Sequence, residues 1–156
     1  MLDKVLILTT GWEEDYWEKE KEAPYPGRKY TNLSEWDSLR ENCPIAGLGI
    51  YTKYRKNDFR DKNFVYLRID GMRFDETDGR PYFNFKPVKI SSLSSKALLD
   101  QLPQLSGKLF LSLKSDDVLN ALSAIGETSP DEWLALAKGA SSLKTVSWQD
   151  CIGRYF

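Results

Sequence analysis

The stretch of the chain with the clearest chemical potential is a basic segment with interleaved rings, residues 53–62. Five cationic and two acidic side chains give it a local net charge of +3, in a chain whose net charge is −1. The cations are Lys53, Arg55, Lys56, Arg60 and Lys62, and the rings among and beside them are Tyr51, Tyr54, Phe59 and Phe64. Cations bind phosphates and exposed rings stack on unpaired bases, so the segment predicts a nucleic-acid contact. The alternative is a solvated charged loop whose rings turn into the core.

A second aromatic segment follows the first predicted strand. Its rings are Trp12, Tyr16, Trp17, Tyr25 and Tyr30, and six acidic residues lie among them between positions 13 and 22. Rings on a loop with few aliphatic neighbours can form a cage for a planar base or a methylated group. The acidic neighbours would repel a phosphate backbone, which favours a pocket for one base over a track for a strand. Alternatively some of these rings close the end of the fold; we expect at least one Trp to be packed and one presented.

The composition excludes several kinds of active site. The chain has no histidine, which removes the commonest general base and most zinc and non-haem iron sites. Cys43 and Cys151 belong to no metal-binding or redox motif and are interpreted as isolated thiols. Acidic residues at positions 70, 75, 76 and 78 resemble no nuclease pattern, and a hairpin turn at Asp78-Gly79 explains those from Asp75 to Asp78 better. We predict a non-catalytic chain with no metal site and no cofactor; metal-dependent activity would support the alternative, a small hydrolase or nuclease.

The scaffold for these segments is predicted to be one domain spanning residues 1–156. Lys4–Thr10 is an apolar run typical of a buried strand. In the next strand, Ile45–Tyr51, two glycines leave one face nearly bare, and we predict that a helix packs there, with a ligand as the alternative. Along Asn63–Asp70 the alternation places Val65, Leu67 and Ile69 on one face, which we predict to be the core face.

Helix signals concentrate in the second half of the chain. Ser115 and the two acidic residues after it are predicted to cap one helix, Gly126 to end it, and Pro130 to stand in the first turn of the next. The predicted helices are Glu13–Glu22, Ser34–Glu41, Ser94–Leu102, Val118–Ile125 and Ser129–Lys138; the remaining predicted strands are Tyr82–Val88, in a hairpin with residues 73–75, and Lys108–Leu113.

No segment of the sequence is suited to a membrane. The longest apolar run, Val5–Leu8, is far shorter than the ~20 residues that cross a bilayer. The first residues lack the basic start and apolar middle of a signal peptide. We expect a cytoplasmic protein without membrane contact.

The order of these features resembles the YTH/EVE branch of the PUA-like domains. The similarity lies in KVLILTTGWEEDYW, IAGLGIYTKY, the aromatic and basic loop, NFVYLRID, and KLFLSLKSDDVLNALSAI. The resemblance implies an α+β fold, a small, curved and mostly antiparallel β-barrel with flanking short helices. It also implies a base-binding cage formed by the loop after the first strand and the loop after the glycine-containing strand. With the rings of both segments, the candidate cage comprises Trp12, Trp17, Tyr30, Tyr54 and Phe59.

The predicted function is therefore non-catalytic recognition of a modified (methylated) or flipped-out base, in double-stranded DNA. Similar domains form the DNA-reading part of McrB-type modification-dependent restriction GTPases, and we expect a specificity domain of such a system. The chain would be a monomer by itself, cut from a protein that continues past Phe156 into a GTPase, AAA+ or nuclease domain. Two alternatives stay open: a protein-interaction module that presents an aromatic surface, and an RNA-binding PUA-like domain.

Overall fold

The computed structural model describes residues 4–11, 14–18, 21–24, 44–75, 80–105 and 110–139, and describes only the backbone of residues 21–24, 71–75 and 80–83. Within these residues the protein is an α+β fold, as predicted. The strands are β1 Lys4–Thr10, β2 Lys21–Pro24, β3 Ala46–Tyr51, β4 Lys53–Tyr54, β5 Asn57–Asp58, β6 Asn63–Asp75, β7 Arg80–Ser94 and β8 Phe110–Lys114. The helices are α1 Ser95–Leu99, α2 Ser115–Ala124 and α3 Asp131–Ala137, with 3-10 helices at Tyr16–Glu18 and Pro103–Leu105.

One sheet of six strands organises the fold, in the order β2-β7-β6-β3-β1-β8. β1 and β3 are parallel, and the other neighbouring strands of this sheet are antiparallel. The sheet is thus mostly antiparallel, as predicted. Within the described residues β2 and β8 are its two edges, so it is not closed into a barrel. β4 and β5 form a separate small hairpin after β3.

Both faces of β6 are buried, and the described α-helices belong to the core on one of them. Phe64 and Tyr66 on β6 belong to a core cluster that includes side chains of all three α-helices, and Tyr66 meets the Trp133 ring of α3 at a centroid distance of 5.0 Å. Val65 and Leu67, on the opposite face, are also fully buried. The predicted core face is therefore buried, but the opposite face is buried as well. When the side chains on both faces of a strand are largely apolar, their alternation does not indicate which face packs against helices.

The bare face of β3 is covered by side chains, and in the described part of the chain the predicted packed helix is reduced to one 3-10 turn, Tyr16–Glu18. A Cβ placed on Gly49 would lie 2.4 Å from Cγ of Trp17, in the first 3-10 helix. A Cβ placed on Gly47 would lie 2.8 Å from Cδ1 of Ile69. At Gly49 the Trp17 indole, and at Gly47 the end of the Ile69 side chain, occupies the space that a Cβ would take.

The helix predictions had mixed outcomes. Ser94 caps α1 by accepting a hydrogen bond from the Ala97 amide at 3.2 Å, and Gly126 follows α2 with a φ of +78°, both as predicted. Ser115 does not cap α2: its hydroxyl is buried and donates to the Ala137 carbonyl at the end of α3. Ser115 therefore joins the start of α2 to the end of α3 instead of capping α2.

The acidic first loop contains no long helix in its described part. Only Tyr16–Glu18 is helical, as a 3-10 turn, and Lys21–Pro24 forms β2 against β7, so the helix predicted over Glu13–Glu22 was wrong. The hairpin of β6 and β7 is confirmed by pairing as far as Asp75 and Arg80. The Ser34–Glu41 helix, the Asp78-Gly79 turn, Cys43 and Cys151 lie outside the described residues.

Candidate nucleic-acid interface

The loops that follow β1 and β3 begin side by side, at the C-terminal ends of these two central strands. This follows from the parallel pairing of the two strands, in which Thr10 is opposite Tyr51. The Thr52 amide donates to the Thr10 carbonyl at 2.8 Å, so the pairing continues into the loops. A Cβ on Gly11 would be 2.5 Å from Cβ of Tyr54. The first residue of one loop therefore touches a ring-bearing residue of the other.

The basic segment is a compact hairpin with an exposed tip. Lys53 pairs with Asp58 and Tyr54 with Asn57, which leaves Arg55 and its neighbour Lys56 to make the turn. Arg55 has a φ of +54°, the left-handed conformation that such a tight turn requires. Its guanidinium lies 5.2 Å from the centre of the Tyr54 ring. Tyr54 is 37% exposed. Residues 54–57 together line an open depression of about 400 Å³.

Backbone hydrogen bonds tie the base of the hairpin to the rest of the fold. The Phe59 amide donates to the Thr52 carbonyl at 3.2 Å, which closes the hairpin. The first turn of α1 then docks on the segment that follows: the Ser95 amide donates to the Lys62 carbonyl at 2.7 Å and the Lys96 amide to the Arg60 carbonyl at 2.9 Å. The exposed tip is therefore held on a fixed platform, which suits a binding site.

The five cations of the segment are not equivalent. The Arg60 guanidinium donates two hydrogen bonds to the Asp58 carboxylate, at 2.9 and 2.7 Å, and the Arg60 amide donates a third at 3.2 Å. The side-chain bonds, and then the backbone bond, lower the pKa of Asp58 to about 2, and the carboxylate raises the pKa of Arg60. This pair fixes the return strand of the hairpin, so Arg60 is occupied in holding the loop.

A second ion pair joins the basic segment to the first loop. Nζ of Lys62 lies 3.6 Å from Oε2 of Glu14, with both side chains largely exposed. Among the described residues, the remaining cations of the hairpin form no ion pair with a carboxylate; they are Lys53, Arg55 and Lys56, all exposed. The positive charge that is available to a phosphate is thus concentrated in residues 53–56, which we call the tip of the hairpin.

Trp17 is a packing residue and drops out of the candidate cage. Its side chain is 1% exposed, and its indole lies over Gly49. Nε1 donates to the Ile50 carbonyl at 3.0 Å, and the Phe85 ring stands edge-on at a centroid distance of 5.1 Å. Because the ring is buried and its N–H is hydrogen-bonded, it offers nothing to a base. The prediction that at least one Trp is packed is confirmed.

The other predicted cage residues divide into two groups. Tyr54 is at the exposed surface beside Gly11, and Phe59 is partly exposed at the closing position of the hairpin. Trp12 and Tyr30 lie outside the described residues. The presentation of a Trp by the first loop stays a prediction, although the residue that precedes Trp12 is in contact with Tyr54.

Sequence reasoning missed two residues of this region, Lys96 and Ser95, and the buried role of a third, Tyr51. Lys96 adds an exposed cation next to Arg60, because the start of α1 docks on the basic segment. Tyr51 and Ser95 are buried beneath the hairpin and join its surroundings by side-chain hydrogen bonds. A cap signal at Ser94 indicated that a helix starts here, but no sequence pattern indicated where that start would dock.

In the described ranges, acidic side chains form no cluster of three that could hold a metal ion. Asp70 lies 2.7 Å from the Arg68 guanidinium in an ion pair, and the side chains at positions 75, 76 and 78 are not described. The longest described helix, α2, has ten residues, and none in those ranges combines the length and apolarity that crossing a bilayer requires.

Compared with protein-family models, with curated proteins and with solved structures, the chain shows no match. The geometry of the interface therefore carries the functional argument, and the similarity to YTH/EVE domains remains a resemblance in short motifs.

Proposed function

We propose that this chain recognises a modified or flipped-out base in nucleic acid without catalysing a reaction. The target is a methylated base in double-stranded DNA, and the chain serves as the specificity domain of a restriction system. In this proposal Tyr54 offers a ring to the base, Trp12 and Tyr30 complete the cage, and the tip of the hairpin binds the flanking phosphates.

The observation that carries the proposal is the meeting of the two loops. The binding hypothesis requires the aromatic first loop and the basic second loop to face one ligand. Parallel pairing of β1 and β3 brings both loops to the same end of the sheet, and Gly11 contacts Tyr54. An extruded base costs a few kcal/mol, and stacking contributes roughly 1–3 kcal/mol per base, so two rings can offset extrusion.

The charges of the hairpin determine how strongly binding is expected to depend on salt concentration. Three cations at the tip have no carboxylate partner among the described residues. Each neutralised phosphate contributes roughly 0.7 to the slope of log affinity against log salt for a single strand, and about 0.9 for a duplex. We expect a slope of about −2 for a single strand and nearer to −3 for a duplex.

The resemblance extends the proposal to the fold and the context. We propose that the fold is a small curved barrel of the PUA-like kind. We also propose that the chain works in the cytoplasm beside a GTPase, AAA+ or nuclease domain.

Fluorescence anisotropy with short labelled duplexes tests the function directly. Matched duplexes with and without one methylated base, the corresponding single strands, and RNA of the same sequence are titrated at two salt concentrations. A methyl group buried in a cage contributes about 0.8 kcal/mol, so we expect a preference of roughly fourfold or more for the methylated duplex. Tighter binding to RNA would instead favour the RNA-binding alternative.

Charge variants localise the contact. Lys53→Ala, Arg55→Ala and Lys56→Ala should each weaken binding and flatten the salt slope. Lys114→Ala is the matched control, since Lys114 is exposed and pairs with Lys4 at the opposite end of β1. Equal affinity for methylated and unmodified duplexes would reduce the site to a nonspecific basic patch. No binding to any nucleic acid would refute the proposal and leave the protein-interaction alternative.

A further inference from the structure

We infer that Tyr51 and Ser95 are positioning residues that hold the first loop and the basic hairpin in one arrangement before the ligand binds. Their side chains form what we call the Tyr51–Ser95 link. The inference rests on the proposed function and adds to it that the site is preorganised through a buried chain of hydrogen bonds.

The first half of the link joins the first loop to the end of β3. The Trp17 amide donates to the Tyr51 hydroxyl at 3.0 Å, across 34 residues of sequence. Tyr51 is fully buried at the last position of β3, on the same face as Gly49. The indole of Trp17 fills the space above that glycine and bonds to the Ile50 carbonyl. The first loop is thus attached to β3 by one apolar and two polar contacts.

The second half joins the same residue to the basic hairpin. The Tyr51 amide donates to the Ser95 hydroxyl at 3.0 Å, and Ser95 is fully buried. The Ser95 amide donates in turn to the Lys62 carbonyl at 2.7 Å. A continuous path of three hydrogen bonds therefore runs from Trp17 through Tyr51 and Ser95 to Lys62. This path therefore connects the first loop, through Trp17, with the basic segment, through Lys62.

The arrangement points to positioning because neither side chain can touch a ligand. Tyr51 and Ser95 are both 0% exposed, whereas the residues proposed to bind are at the surface. A buried polar side chain that loses its partner is costly, so the hydroxyls favour the one arrangement in which both loops supply those partners. The affinity of a site falls in proportion to the fraction of molecules in the binding-competent arrangement. Breaking the link should therefore weaken only contacts that require both loops.

Two conservative variants test this, with a buried control for each. Tyr51→Phe removes the acceptor of the Trp17 amide, and Ser95→Ala removes the acceptor of the Tyr51 amide. Tyr66→Phe is the control for the first, since Tyr66 is another fully buried tyrosine and lies outside the link. Ser91→Ala is the control for the second, because Ser91 is 2% exposed and its hydroxyl accepts from the Leu93 amide at 2.9 Å.

The first readout uses ligand. Affinities are compared for a methylated duplex and for the same duplex with an abasic site at that position. Both link variants should weaken binding of the base-bearing duplex about tenfold and leave binding of the abasic duplex unchanged, because phosphate contacts need the hairpin alone. The control variants should leave the ratio of the two affinities at its wild-type value.

The second readout needs no ligand. Amide hydrogen exchange is followed in residues 14–18 and 59–62. Coupling through the link predicts that either link variant accelerates exchange in both segments, with β8 and α2 unaffected. If each variant changes only its own partner amide and the affinity ratio stays at the wild-type value, the inference is overturned while the proposed function stands. If the wild-type protein binds no nucleic acid, the proposed function fails and the inference with it.

Discussion

Replacement of Gly49 by alanine should destabilise the protein through one identified contact, the indole of Trp17. The new Cβ would lie 2.4 Å from Cγ, 2.7 Å from Cδ2 and 2.8 Å from Cβ of Trp17. Carbon atoms pack best at roughly 3.5–4.0 Å, so the indole must move by about 1 Å or leave its position. It cannot move without straining its hydrogen bond to the Ile50 carbonyl, which is 3.0 Å long.

The size of the effect follows from two contributions. Overpacking a buried site costs about 1–3 kcal/mol, and the lost hydrogen bond adds about 1 kcal/mol. The expected loss in the free energy of unfolding is therefore roughly 2–4 kcal/mol, a large part of the ~5–15 kcal/mol typical of a domain. Gly47→Ala is the matched control, because the nearest atom is Cδ1, at the far end of the Ile69 side chain, at 2.8 Å. That side chain can rotate away, so we expect about 1 kcal/mol.

Urea denaturation of a double-mutant cycle isolates the contact. In a Trp17→Ala background the obstructing ring is absent, and Gly49→Ala should cost nothing or stabilise the strand by about 0.5 kcal/mol. We expect a coupling energy of roughly 2–4.5 kcal/mol between the two positions, the difference between the two costs. An equal cost of Gly49→Ala in both backgrounds would refute the reasoning, since glycine would then be required for its backbone conformation.

Three further predictions concern the interface and the core. Tyr54→Ala should weaken binding of a base-bearing ligand by about 1–3 kcal/mol in anisotropy titrations, and the unfolding midpoint should stay near its wild-type value because the ring is 37% exposed. Asp58 has a pKa lowered to about 2 by hydrogen bonds from Arg60, so its contribution to hairpin order is complete above about pH 4 and is lost as the pH falls toward 2. An NMR titration of the Asp58 carboxyl checks this, and a midpoint near pH 4 would contradict the pairing. Trp133→Phe leaves the Gly47 carbonyl without the indole donor now 2.8 Å away, and calorimetry should show a loss of about 1–3 kcal/mol.

Local sequence patterns determined most of the elements of this fold. The bounds of β1 coincide with those of the apolar run Lys4–Thr10, and the Ser94 cap and Gly126 mark helix ends as predicted. These signals succeed because each depends on one short stretch of backbone: an apolar run, a side chain that caps its own helix, or a glycine at positive φ.

The contacts that build the candidate site depend on distant pairs, and sequence alone did not reveal them. Trp17 has acidic neighbours and looks like a surface ring until Gly49 provides a place for its indole. The Asp58–Arg60 pair is local, because its two residues are only two positions apart, yet the charges alone did not indicate that Arg60 would bind Asp58 rather than a phosphate. The sequence alone therefore determined that the protein has two loops rich in rings and charge. Only the parallel pairing of β1 with β3 decided that Gly11 and Tyr54 touch, because the relative position of two loops depends on which strands are neighbours in the sheet.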